Sequence, residues 1–334
     1  MEFASAETET MKEIDTRLVY GFLDAGKTTY IQQNIRDDRF YKYGSTLIIC
    51  FEKGEVKYDE EALAEKRANV VYYDGKKKIT EFCLECIEAY QPDRIYVEMN
   101  IMMQELRAHF PECMRVTFSA ALIDWSTMPV YYLNFMQMIK QMVSESNQVT
   151  FRGCPSSDLL ATYGQAFRLM NPRAVYLRQD PMGYHEKAFG LFLPFSLDEN
   201  EITITEKSYL PLWLDALDHP EHYDGKTIHF TEPIELRRTD ENGMWRCGRV
   251  VMTCCMADLQ FMSFELAASA QDDGIAGKDL PDRADSLWAA IDASASVVSD
   301  SYGQKKLLLV PAKIWPANPP EVLILDGRRQ SQSS

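Results

Sequence analysis

No apolar run in this chain of 334 residues approaches the ~20 residues that a membrane-spanning helix needs. The opening segment, MEFASAETETMKEID, is acidic and has no apolar core, so it does not read as a secretory signal. Positive charge is scarce. Lys and Arg number 35 against 50 Asp and Glu, a net charge of -15, with a pI near 4.9. A surface of that sign is repelled by phosphate backbones, which argues against nucleic-acid binding and against docking on an anionic membrane. Neither G-x-S-x-G nor H-E-x-x-H occurs, so a serine hydrolase and a zincin lack support. No internal repeat is visible. With 46% hydrophobic and 25% charged residues, the composition is that of a globular chain. At ~150 residues per domain the length suggests about two domains. Eight Cys without an export signal imply reduced thiols and a cytoplasmic location.

Residues 1–11 read as a polar tail. Short apolar strands are expected at Leu18–Tyr20, Thr46–Phe51, Asn69–Tyr73, Arg94–Val97 and Val116–Ile123. Helical spacing is expected over Thr29–Ile35, Ile79–Tyr90 and Tyr131–Val143. Alternation of this kind predicts an α/β domain with a mostly parallel sheet, over residues 12–185. The texture then changes. Apart from a short helix at Leu210–Leu217, most segments are strand-sized: Glu201–Thr205, Lys226–Phe230, Gly248–Thr253, Leu259–Leu266, Leu287–Val298, Lys306–Val310 and Val322–Leu325. They predict a smaller β-rich domain over residues 200–327. Gln271–Asp285 reads as an acidic loop, and residues 328–334 as a tail.

The sharpest motif is Gly21-Phe22-Leu23-Asp24-Ala25-Gly26-Lys27-Thr28. It fits G-x-x-x-x-G-K-[ST] at every fixed position, follows an expected strand and opens an expected helix. The glycines let the backbone wrap a phosphate, and the loop amides and the helix N-terminus then point at the anion. The candidate nucleotide contacts are Gly21, Asp24, Ala25, Gly26, Lys27, Thr28 and Thr29. Lys27 would reach the β- and γ-phosphates, and Thr28 would hold Mg²⁺. A nucleotide hydrolase also needs an acid beyond this loop. Ile95-Tyr96-Val97-Glu98 is an apolar strand ending in a carboxylate, so Glu98 is the candidate acid, acting on Mg²⁺ through water. Glu52, Glu55 and Asp59 follow the second strand in an acidic, Gly-containing segment that could respond to the γ-phosphate.

In this order, GFLDAGKTT, FEKGEVKYD and IYVEMN resemble the CobW/HypB/UreG group of metal-linked GTPases, most closely its CobW-type branch. The resemblance covers roughly residues 17–180. It implies a GTPase with a switch at Glu52, Gly54, Glu55 and Asp59, and Glu98 as the strand acid. Ala121–Asp124 and Asn171-Pro172 are similar to later family segments. Three departures stand out. The Cys-x-Cys-Cys usual between switch and strand acid is replaced by Cys83 and Cys86, which read as core thiols. The guanine-reading Asn-Lys-x-Asp is missing, and its expected region reads Ser146-Asn147-Gln148-Val149-Thr150-Phe151-Arg152-Gly153-Cys154. GTP, rather than ATP, is therefore an implication of the family. Phe51 replaces the first Asn of the switch.

In the second half, Met252-Thr253-Cys254-Cys255-Met256-Ala257-Asp258 places two adjacent thiols at a strand end, with a carboxylate three residues on. Cys254, Cys255 and Asp258 are candidate Zn²⁺ ligands, with Cys247, His219 and His222 available to complete a set. Adjacent Cys are an awkward spacing for this, because neighbouring side chains in a strand point apart. Tyr223-Asp224-Gly225-Lys226 followed by this segment resembles the soluble OB-like C-terminal domain of bacterial putative permease subunits. That resemblance spans about residues 200–327 and implies a permease or a metal-receiving protein as partner. The Tyr/Met-rich stretch Tyr131–Met142 reads as core or domain interface. The expectation is a Mg²⁺-dependent GTPase or NTPase of low intrinsic rate, linked to zinc. A nucleotide-gated binding protein without turnover, and a P-loop phosphotransferase acting on a small acceptor, stay open.

Overall fold

The computed structural model describes residues 12–37, 44–180, 182–183, 185–238, 245–253, 255–267 and 286–328. The expected 1–11 tail, the Gln271–Asp285 loop, Cys254 and all but the first residue of the 328–334 tail lie outside them. The chain forms two compact units, Met1–Leu159 with Arg173–Ala188, and Leu160–Pro172 with Phe189–Ser334. The contiguous division read from the sequence differs chiefly in residues 160–172, which group with the second unit. Among the described residues, no helix is long and apolar enough to cross a membrane.

The first unit is built on one sheet. Its strands are β1 (Ile14–Gly21), β2 (Thr46–Cys50), β3 (Ala68–Tyr72), β4 (Arg94–Asn100), β5 (Met114–Asp124), β6 (Gln148–Arg152), β7 (Val175–Gln179) and β8 (His185–Lys187). They run in the order β3-β2-β4-β1-β5-β6-β7-β8. Every pair is parallel except β7 with β8. Parallel sheets are covered on both faces, and all five residues of β2, Thr-Leu-Ile-Ile-Cys, are buried. The connecting helices are α1 (Lys27–Arg36), α2 (Glu60–Glu65), α3 (Ile79–Tyr90), α4 (Met128–Asn134) and α5 (Met136–Ser144), while α6 (Ser157–Met170) follows β6 in the chain and falls mostly in the second unit. The expected α/β sheet is thus present.

One local expectation is corrected. Tyr131–Val143 is two helices, because Phe135 (φ -128°, ψ 33°) leaves helical geometry between α4 and α5. The apolar spacing runs on through the break, so the pattern does not register it. Strands β6 and β7 do not stand out in the sequence, since Thr150, Arg178 and Gln179 are polar yet buried. Asp59, within the expected switch, caps α2 by accepting from the Ala62 amide at 3.2 Å. Cys83 and Cys86 are buried on α3, and burial pushes the Cys83 thiol up to about 12, as suits core thiols.

The second unit holds β9 (Glu201–Ile204), α7 (Glu206–Asp218), β10 (Thr227–Phe230), β11 (Ile234–Arg238), β12 (Trp245–Met252), β13 (Leu259–Leu266), β14 (Ser286–Ser299), β15 (Lys305–Pro316) and β16 (Ile324–Asp326). Strands β11-β12-β13-β15-β14 follow one another, and β14 pairs back onto β11. The result is a closed five-stranded barrel. Only β13 and β15 are parallel within it. Closure removes the exposed edges that a sheet this size would otherwise carry. Strand β11 is nearly invisible to apolar pattern, since it reads Ile-Glu-Leu-Arg-Arg; Arg237 lies over the Phe261 ring at 4.0 Å and pairs with Glu235. Tyr209 and Leu212 of α7 join Ile228, Val251, Ile291 and Leu309 in one core.

Gly248 marks the tightest approach in the barrel. A Cβ there would lie 2.3 Å from the Met262 carbonyl oxygen and 2.8 Å from Ser263 Cα. Both atoms are backbone and cannot swing aside. Gly248→Ala is expected to destabilise the protein by about 1–3 kcal/mol, the usual cost of overpacking. Urea unfolding of the full chain measures it.

Candidate functional site: a phosphate loop with two buried acids

Strand β1 ends at Gly21, and the chain turns through Phe22–Gly26 into α1. The turn requires left-handed backbone at Asp24 (φ 59°) and Gly26 (φ 82°). Gly26 is constrained a second time, since a Cβ would fall 0.9 Å from Arg152 Nη1. Gly21 is constrained by packing, as its Cβ would meet the Leu122 carbonyl oxygen at 2.4 Å. Both glycines of the motif are therefore needed for the shape of the loop.

Lys27 folds back into the loop. Its ammonium donates to the carbonyls of Phe22 (2.6 Å) and Gly21 (3.4 Å) and forms an ion pair with Glu52. The Lys27 side chain is buried, and that of Glu52 is nearly so. Glu52 also accepts from Asn100 Nδ2 at 2.9 Å. One residue along α1, Thr28 Oγ1 donates to Glu98 Oε1 at 2.8 Å. The other Glu98 oxygen accepts from the Tyr58 hydroxyl and, at 3.9 Å, from the Cys50 thiol. Glu98 is on β4 and pairs in register with Val19 of β1 and Cys50 of β2. The parallel arrangement thus delivers the acid to the same sheet edge as the loop.

The electrostatics follow from burial. Desolvation pushes the Glu98 carboxyl above its ordinary range; Tyr58, Thr28 and Lys27 oppose the rise, and Glu52 adds to it. Desolvation and the neighbouring Glu98 raise the Tyr58 phenol and the Cys50 thiol strongly. Behind the loop, Arg152 donates from Nη1 to the Ala25 carbonyl (3.1 Å) and from Nε to Gln179 (2.8 Å). Burial lowers its guanidinium pKa, while Asp124 acts the other way.

Two cavities open here. One of about 190 Å³ is lined by Asp24, Gly26, Lys27, Thr28, Glu52, Gly54, Glu55, Val56 and Glu98. Another of about 280 Å³ shares Thr28, Glu52, Gly54, Val56 and Glu98 and extends to Tyr58 and Tyr72. The structure therefore brings together Gly21, Asp24, Ala25, Gly26, Lys27, Thr28, Glu52, Glu55 and Glu98, with Thr29 following on α1. Asp59 does not line either cavity; it accepts from Arg36 Nη2 at 2.7 Å. Tyr58, Cys50, Asn100 and Arg152 belong to the site and were not singled out by sequence reasoning. Only Asn100 carried a signal, two positions beyond Glu98 in a strand and hence on its face. Thr28 and Glu98 offer paired oxygen donors, which suit Mg²⁺ better than a softer ion.

The second-unit candidates are arranged differently. Cys247 is fully buried in the barrel core. Cys255 and Asp258 lie in the turn between β12 and β13, where the Asp258 amide donates to the Cys255 carbonyl (2.9 Å) and Asp258 accepts from the Thr253 hydroxyl. Among the described residues, neither belongs to a group of three possible metal ligands. The group that does occur is His219, Glu221 and His222.

Among known families, the DUF1980 C-terminal domain matches residues 187–275, a stretch that contains both the Tyr223–Lys226 and Met252–Asp258 segments. No curated protein matches the chain. Among solved structures, it is similar to the hydrogenase maturation factor HypB from Archaeoglobus fulgidus, at 12% identity and TM-score 0.35, covering 50% of this chain and 81% of that one. HypB from Helicobacter pylori, in complex with nickel, matches at 11% identity and TM-score 0.32, covering 49% and 78%. The signal recognition particle receptor FtsY from Elizabethkingia anophelis matches at 12% identity and TM-score 0.30, covering 42% and 51%.

Removing the buried charge tests the electrostatics. A free Glu titrates near pH ~4.3. Above that pH the unfolded chain gives up its proton before Glu98 does, so the native state holds more protons and stability falls as pH rises. The fall ends once the raised Glu98 pKa is passed. Nucleotide-free Glu98→Gln is therefore expected to melt higher than the parent at neutral pH, with a difference that grows from about pH 4.3 upward and then levels. Thermal melts over a pH series read it directly.

Proposed function

We propose that the chain binds a Mg²⁺–nucleoside triphosphate at Gly21–Thr28 and hydrolyses it slowly. The observation that supports this most is the 2.8 Å contact between Thr28 Oγ1 and Glu98 Oε1, one residue from the buried Lys27 ammonium. In this reading the loop amides and Lys27 hold the β- and γ-phosphates, while Thr28 and Glu98 orient the ion, Glu98 through water. Bound Mg²⁺ would neutralise charge on the phosphates. Catalysis is electrostatic, since the donors are already aimed and no side chain must bond to phosphorus. Glu52, Glu55 or Glu98 positions the attacking water. Among the described residues no arginine lines either cavity, which fits a low rate without a partner.

Lys27 has an occupant to lose. Glu52 sits on its ammonium, so an arriving γ-phosphate must displace a carboxylate. Release of Glu52 would free the 51–58 segment and convert phosphate contact into movement. That exchange favours, as a second reading, a nucleotide-gated protein with little turnover. GTP is preferred over ATP on the resemblance to the CobW/HypB/UreG group; β6 ends in Arg152 and is followed by Gly153-Cys154, where that group's guanine-reading Asn-Lys-x-Asp is expected. The same resemblance, and that of the second half to permease-subunit domains, supports a cytoplasmic role in transition-metal handling, with zinc as the metal and a permease or metal-receiving protein as partner. The strand order 1-2-3-5-4-1 of the closed barrel supports an OB-like domain.

Two expectations follow. Lys27→Ala abolishes nucleotide binding and Mg²⁺-dependent phosphate release from GTP and ATP, while circular dichroism stays that of the parent. Retained binding would sink the proposal, and binding without multiple turnover in the parent would select the gated reading. Glu52→Gln removes the competing carboxylate and tightens binding of a non-hydrolysable triphosphate by about tenfold, the scale of one charge-assisted hydrogen bond. Isothermal titration of both proteins measures it.

A further inference from the structure

We propose that His219, Glu221 and His222 form a binding site for a borderline divalent transition-metal ion, Zn²⁺ in the first instance. The three side chains stand where α7 ends and a single 3₁₀ turn, Pro220–Tyr223, begins. One ligand atom from each lies within 4.8 Å of the others. The imidazole rings are stacked, with centroids 4.8 Å apart, and His219 Nδ1 is 3.5 Å from Glu221 Oε1. Ligand atoms around a tetrahedral zinc stand about 3.4 Å apart. Rotation of half-exposed side chains covers that difference without moving the backbone.

The support behind His222 distinguishes this group from a chance surface cluster. His222 Nδ1 is 2.8 Å from Asp215 Oδ2, and the same oxygen accepts from the Tyr223 hydroxyl at 2.9 Å. The Asp215 side chain is 9% exposed, and Tyr223 is fully buried. A carboxylate that accepts from Nδ1–H fixes the tautomer and leaves the Nε2 lone pair outward. Metal-binding histidines are held in this way by a second carboxylate. The backbone is fixed too: Pro220 is buried, and the amides of His219 and His222 donate to Asp215 (2.7 Å) and His219 (3.1 Å) carbonyls. Two imidazoles and one carboxylate suit Zn²⁺, Co²⁺ or Ni²⁺ rather than Mg²⁺ or Ca²⁺. Three protein ligands leave a fourth position for water or for a donor from another molecule. An exposed site of this form suits exchange better than permanent storage. That use, though not the site, rests on the metal-linked reading above.

The alternative role for these residues is purely structural, with the histidines ending α7 where positive charge meets its C-terminal carbonyls. Untagged, reduced full-length protein is titrated with Zn²⁺ against a chromophoric chelator, and with Co²⁺ in the visible range. The expected result is one Zn²⁺ per chain and a tetrahedral Co²⁺ spectrum lacking the near-ultraviolet thiolate charge-transfer band. Asp215→Asn lowers Zn²⁺ affinity by about 10–100-fold, and His219→Ala and His222→Ala lower it at least as much. His219→Ala retains the metal-free melting temperature, His222→Ala lowers it because the nearly buried Asp215 loses a partner, and Cys255→Ser binds as the parent does. Absence of Zn²⁺ binding, unchanged affinity in the double His variant, or a thiolate band lost in Cys255→Ser would overturn the proposal. Nucleotide binding, scored separately on Lys27→Ala, reports on the phosphate loop alone, so either reading can fail without the other.

Discussion

Lys27 and Glu98 lie buried, and Glu52 nearly so, at the edge of a parallel sheet, and one positive charge serves two carboxylates. Burying ions is costly unless each finds partners. Here Lys27 takes two loop carbonyls and Glu52, Glu52 takes Asn100 as well, and Glu98 is held by Thr28 and Tyr58. Desolvation still holds the Glu98 carboxyl above its ordinary range, and Glu52 adds to the rise. A site with an excess of buried negative charge is poised for a divalent cation. In the proposed reading, a lysine already paired exchanges that partner for a phosphate. Both properties come from the same three side chains, and the loop, β4 and the segment after β2 meet around them.

The surrounding scaffold explains why such a cluster persists. The strands that carry these groups are central in the sheet, with β4 and β1 adjacent and β2 next to β4. Their apolar residues are buried on both faces, so the polar chemistry is confined to the strand ends. Gly21 and Gly26 let the loop press against Leu122 and Arg152, and Arg152 in turn ties the Ala25 carbonyl to Gln179 on β7. The second unit handles polarity in another way. Its barrel has no free edge among the five strands, its core is apolar, and its buried acid, Asp215, is satisfied by a histidine and a tyrosine from the next turn.

The phosphate loop was legible because its chemistry is local: glycines, a lysine and a threonine at fixed spacing between a strand and a helix. Glu98 was legible for the same reason, as a carboxylate closing an apolar strand. The sheet class followed from alternation, and β13 is found where its apolar pattern stands. Tyr58, Cys50 and Arg152 were not legible. Each reaches the site from a different strand or loop, and nothing in its own neighbourhood marks it. Asp59 had a place in the sequence pattern, but its capping of α2 shows only in the structure.

By itself the sequence determined the strand–loop–helix of the G-x-x-x-x-G-K-[ST] motif, the change from α/β to β-rich texture, and the acidic balance of the chain, because these depend on residues close in the chain or on composition. The tertiary structure alone decided that Glu52 occupies Lys27, that Tyr58 and Thr28 share Glu98, that β14 closes the barrel on β11, and that Asp215 orients His222. The first three join residues far apart in the chain, or depend on how a loop folds back. The last joins residues seven apart, on a helix and the turn after it, whose meeting requires the break at His219-Pro220 to bring the turn back onto α7.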